Sequence, residues 1–197
     1  MKKILAAALA AIVMAAAFTG CNTPSEPISD SSDAGAGTTA DAGTGIADHL
    51  EEVMSAYLEN IKTNPDLALY PMQQASAEGA VSGKTSDGYL YLIVHENGAD
   101  IAKALDDPSV QLEAPDPAVD NSTITYPDNK AGELAKRVLN TTWAAMEAVD
   151  DQETISALFS EDFDLDLCEE SFFASNIMST HLLKVIIIKP KAGDMPS

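Results

Sequence analysis

Two runs of consecutive apolar residues limit what this chain can fold into: Tyr89–Val94 (YLYLIV) and His181–Ile188 (HLLKVIII). Neither alternates as a strand with one wet face would. Each has the length and the β-branched and aromatic content of a strand rather than of a helix. The first is continuous enough to be buried on both faces, which requires packed layers above and below it. The second is the strongest strand signal in the C-terminal part.

The covering layers are legible as helical stripes. Ile46, Leu50, Val53, Met54, Tyr57, Leu58 and Ile61 recur at helical spacing, with Asp48, Glu51, Glu52 and Glu59 on other faces. Thr44 is the expected N-cap, and Asn64-Pro65 stops the helix. Asn97-Gly98-Ala99-Asp100 resembles a helix start, and Ile101, Ala104 and Leu105 give a short amphipathic helix that ends before Pro108. Asp128 or Asn129 opens the best helical pattern, with Ala131, Leu134, Ala135, Val138, Leu139, Thr142, Met146 and Val149 on one stripe and Trp143 on its edge. Asp151 caps a further turn or two carrying Ile155, Leu158 and Phe159. Weaker strand candidates are Val110–Leu112 and Thr123–Tyr126, within a proline-rich connection over 108–128.

These elements predict an α+β fold in which amphipathic helices pack on a small mixed sheet. They divide into a first half, 46–127, and a second, 128–197. The halves share an order of long helix, irregular segment, buried strand and Gly-Asp-like turn, and YLIVHENGADI at 91–101 can be laid beside VIIIKPKAGDM at 185–195. A degenerate duplication and two independent α+β units both fit, the second slightly better. By this analogy a helix should begin at Gly193-Asp194-Met195, yet the sequence stops at Ser197, so the second half looks cut short.

The first 45 residues have a different character. Lys2 and Lys3 precede an apolar run, Ile4–Phe18, whose 15 residues fall short of the roughly 20 that span a bilayer and fit the apolar core of an export signal. Phe18-Thr19-Gly20-Cys21 then resembles the bacterial lipobox, with Phe18 in place of the usual leucine. The resemblance implies diacylglyceryl transfer to the Cys21 thiol and cleavage between Gly20 and Cys21, so that 1–20 is a signal peptide. Two acyl chains anchor a protein durably where one does not. Residues 22–45 hold no aromatic residue and one large aliphatic, Ile28, too little to bury, so 21–45 reads as a lipidated cysteine and a disordered tether. Its r.m.s. reach is about 25–30 Å, and about 80 Å when stretched. The expected place is the outer, extracytoplasmic face of the cell membrane.

A second resemblance covers about residues 131–195. GELAKRVLNTTWAAMEAV followed by LFSEDFDLDLCEESFFASNIMSTHLLKVIIIKPKAGDM resembles an uncharacterised family of Gram-positive lipoproteins, through an amphipathic helix, an acidic DLDLCEES segment and a strand ending in a Lys-x-Lys-x-Gly turn. It implies location and fold but no chemistry. It also implies a further helix and strand after the turn.

Charge narrows the partners. The chain has 31 acidic against 11 basic residues, and loss of Lys2 and Lys3 takes its formal charge from −20 to −22. Nucleic acid and anionic headgroups need a basic face, so neither is an expected partner. A cationic or envelope partner is compatible with such a surface. With Cys21 acylated, Cys168 has no disulfide partner, and a hydrophobic core must supply the stability.

The residues that could carry chemistry are weak candidates. Gly79–Thr85 has three residues between its glycines where a phosphate loop needs four, and reads as a polar hairpin turn. Asp162, Asp164 and Asp166 have calcium-loop spacing, but Leu167 and Phe173 stand where that loop needs Gly and Glu, so no metal site is expected. Alternation with Phe163, Leu165 and Leu167 makes this a half-buried extended segment. His49, His95 and His181 lack neighbouring ligands. Cys168 lies among Asp166, Glu169 and Glu170, which disfavour a thiolate. Carboxylate pairs such as Glu51-Glu52 and Glu169-Glu170 are too common here to single out, and the sequons at Asn121 and Asn140 have no role in bacterial export. No catalytic residue and no cofactor is therefore nominated. The resulting expectation is a non-enzymatic binding or envelope-interaction module. The alternative is an envelope enzyme or accessory subunit acting on cell-wall polymer. A two-lobed solute-binding protein needs a longer chain.

Overall fold

The computed structural model describes residues 45–112, 123–139, 145–176 and 181–196. The expected signal peptide with Gly20, Cys21, the expected tether to residue 44, Thr44, Asn121, Asn140, Thr142 and Trp143 lie outside them. The α+β expectation holds: among the described residues five helices pack on a five-stranded sheet of order β1 (Val81–Lys84), β2 (Leu90–Val94), β5 (Lys184–Pro190), β4 (Cys168–Ser175) and β3 (Glu147–Val149).

Helix α1, Ile46–Thr63, buries Ile46, Leu50, Val53, Met54, Tyr57 and Ile61, the predicted stripe without Leu58. It stops at Asn64, whose extended backbone (ψ 107°) is what a following proline imposes. Its first amide donates to Gly193 O at 3.0 Å, and Gly45 bridges to Asp194. Gly193, with φ +125°, therefore closes the start of α1 and does not open a helix.

Helix α2, Pro71–Glu78, leads into strand β1, Val81–Lys84, which forms a hairpin with β2, Leu90–Val94. The Gly79–Thr85 run is thus largely strand, and the turn lies just beyond it. Thr85 Oγ1 donates to Asp87 at 2.6 Å and accepts from Tyr89 N at 2.9 Å, and Gly88 takes φ +85°. Helix α3, Gly98–Asp106, follows as predicted. Val110–Leu112 is not a strand, because Val110 N turns back to Asp107 O. Thr123–Tyr126 joins no ladder either. Its apolar residues pack instead: Ile124 is buried, and Tyr126 stacks on Phe172 with ring centroids 5.6 Å apart.

Helix α4, Lys130–Leu139, is shorter than its sequence pattern, for Glu147–Val149 is strand β3. Met146 and Val149 are both buried, but on opposite sides of the sheet. A single helical face cannot send two residues to two cores. Helix α5, Gln152–Leu158, has the predicted cap, with Asp151 accepting from Thr154 N at 2.8 Å. Phe163 and Leu167 are buried as the alternation implies, but Leu165–Leu167 is a 3-10 turn, and the strand that follows is β4, Cys168–Ser175. Strand β5 is Lys184–Pro190.

Every neighbouring pair in the sheet is antiparallel, which corrects the expected mixed sheet. Both halves contribute to this sheet, meeting where β2 pairs with β5. Side chains alternate across it. Leu90, Leu92, Val94, Phe173, Ile186 and Ile188 face a core with α1, while Ile93, Phe172, Val185 and Ile187 face a second core with α3 and α4. That two-sided burial is why the two apolar runs do not alternate.

Candidate functional site

Cys168 is half-buried, its Sγ 3.6 Å from Asp164 O. Burial first and Asp164 second push its thiol pKa up to about 11, against the pull of Lys191. That is the reverse of what activates a cysteine. His95 is buried, accepts from Asn97 N at 3.0 Å, and is held down to a pKa of about 4 by burial and then by His181. Asp164 spends a carboxylate oxygen on Asp166 N, and Asp162 accepts from Ser160 Oγ. Among the described residues no three His, Cys, Asp or Glu side chains converge as metal ligands. Glu51 pairs with Lys84 at 2.6 Å. Glu170 accepts from Ala131 N at the start of α4 and from Tyr89 Oη, a capping role.

Lys184 interrupts the apolar run that contains β5, with no sequence signal of its own. It is buried, donates to Leu158 O, and lies 4.4 Å from the centre of the Phe159 ring. Burial lowers its pKa from 10.5 to about 8.

Among the described residues, two surface features are the better candidates to receive a ligand. A groove of about 500 Å³ runs beside β3, lined in part by Thr123, Thr125, Glu147, Asp150 and Ser171. Glu147 and Asp150 are exposed, so neither has the apolar surroundings that make a carboxyl a general acid.

The second feature is built on the connection between α1 and α2. Among the described residues every exposed large hydrophobic side chain lies within six consecutive positions: Leu67 (36 %), Leu69 (67 %), Tyr70 (56 %) and Met72 (47 %). These residues belong to the run LALYPM, whose spacing is neither helical nor alternating and whose only buried member is Ala68. The backbone under it is tied down. Asn64 Oδ1 caps a 3-10 turn at Pro65–Leu67, and Gln73 Oε1 accepts from both Leu69 N (3.0 Å) and Tyr70 N (3.2 Å). Gln74 Nε2 reaches Ala68 O, and Ala68 itself is buried. Pro65 and Pro71 fix φ at either end. An adjoining cleft of about 320 Å³ is lined by Leu69, Lys62, Ala77 and Glu78, among others. The result is a fixed apolar ridge beside a hollow, chemically suited to docking rather than to bond making.

No known family, curated protein or solved structure matches this chain.

Proposed function

We propose that this protein is a membrane-anchored extracytoplasmic lipoprotein, held through acyl chains on Cys21, whose folded part is a non-enzymatic binding or envelope-interaction module. The observation that carries the anchor is the order of the leader: basic residues, a short apolar run, small residues and then Cys21. The resemblance of 131–195 to Gram-positive lipoproteins points to the same compartment. No helix among the described residues is long and apolar enough to cross a membrane. For a binding role, the support is the apolar ridge at 67–72, presented on a backbone that needs no further ordering.

Palmitate labelling and membrane fractionation of the Cys21→Ser variant test the anchor. Loss of both label and membrane attachment is expected; a variant that stays membrane-bound to the same extent sinks the proposal. The groove beside β3 favours a second reading, an enzyme or accessory subunit acting on cell-wall polymer. Release of soluble fragments from purified cell wall by the purified protein would support it.

A further inference from the structure

We infer that the ridge at Leu67–Met72 docks a partner protein presenting an apolar knob ringed by lysine and arginine. This rests on the reading of the fold as a binding module, and four observations lead to it. The exposed large hydrophobics of the described residues are concentrated here and nowhere else, so the patch is not the ordinary scatter of a soluble surface. Their backbone is pinned by Asn64, Gln73 and Gln74, so little ordering cost attends burial of Leu69 and Tyr70 against a partner. The cleft beside Leu69 can accept a side chain from the other surface.

Charge selects the occupant. Asp66 immediately precedes the ridge and Glu78 lines the cleft, against one cation lining it, Lys62, and the whole chain carries a formal −20. Such a field draws in a basic partner and repels both a second copy of this chain and an anionic bilayer.

The test uses the mature acylated protein in phosphatidylcholine nanodiscs, labelled at its methionine methyl groups. The probe is a short helical peptide with leucine on one face and lysine on the other. The Met72 methyl signal should shift saturably while that of Met54, buried in the α1 core, stays in place. Leu69→Ser should weaken binding about tenfold, and Glu78→Gln should weaken it less. Because Leu69 is 67 % exposed, the variant should keep the Met54 signal of the folded protein. Equal binding by a leucine/glutamate peptide overturns the charge argument, and equal binding by a serine/lysine peptide overturns the apolar one. A Met72 shift driven by added lipid, or by protein concentration alone, would assign the ridge to the membrane or to self-association and overturn the proposal. Cys21→Ser protein in free solution should bind the peptide as well as the acylated form does, so failure of the anchor and failure of the docking site are read separately.

Discussion

Replacing Lys184 by methionine should stabilise the fold at neutral pH, and the gain should vanish in alkali. Lys184 is 9 % exposed and sits at the start of β5, in the core that holds α1. Its ammonium touches Leu158 O and the Phe159 ring, and no carboxylate among the described residues pairs with it. Burial holds its pKa at about 8 against 10.5 for an unhindered lysine. Unfolded chains therefore bind more protons than folded ones between these values, and stability falls as pH drops from 10.5 through 8. Over about 2.5 pH units the loss is about 3 kcal/mol, fully present below pH 8. Attraction to the Phe159 face is lost in the variant and offsets about 1 kcal/mol of that. Methionine fills a similar volume, and Leu158 O keeps the Tyr57 hydroxyl as a donor at 3.4 Å. Lys184→Met should thus lead by about 2 kcal/mol at pH 7, or about 4–8 °C in melting temperature, and by less than about 1 kcal/mol at pH 11. Urea unfolding of both proteins across that range measures the difference and cancels the tyrosine titrations they share. A difference that stays flat with pH, or a variant less stable at pH 7, would refute the claim that desolvation dominates at this site.

Gly132→Ala carries an unusual sign. In an ordinary helix the change stabilises by about 1 kcal/mol, but here the new Cβ would lie 2.0 Å from Pro127 O, and the variant should lose about 2–3 kcal/mol in chemical denaturation. His95 should titrate with a midpoint near 4 by NMR. Its folded pKa is depressed, so the stability it contributes is present above about 6.5 and is lost as pH falls toward 4. A midpoint near 6.5 would mean the ring is hydrated.

The long helical stripe of α1, its stop at Asn64-Pro65 and the two apolar strands were legible because each is written in a local period or a local steric rule. β1 and β4 were not. Val81–Lys84 contains Ser82, Gly83 and Lys84, and pairing with β2 makes it a strand rather than any propensity of its own. Cys168–Ser175 starts with acids because its outer end is solvated and its inner end, Phe172–Ser175, is not. The run from Ala131 to Val149 continues a helical period past Leu139, but pairing of Glu147–Val149 with Phe173–Ser175 prevails at its far end. The apolar ridge was not legible, because LALYPM has no period of its own and exposure cannot be read from letters.

By itself the sequence determined the acidic field, the α+β class and which stretches had to be buried on both sides. Those properties depend on composition and on periods shorter than a turn or two. Only the tertiary structure decided the antiparallel order β1-β2-β5-β4-β3, the burial of Lys184 and His95, the capping of α4 by Glu170, and the exposure of Leu69 and Tyr70. Each of these depends on residues brought together across long separations, as Ala131 and Glu170 are. No local pattern encodes such a meeting, because the energy that secures it belongs to the packed whole.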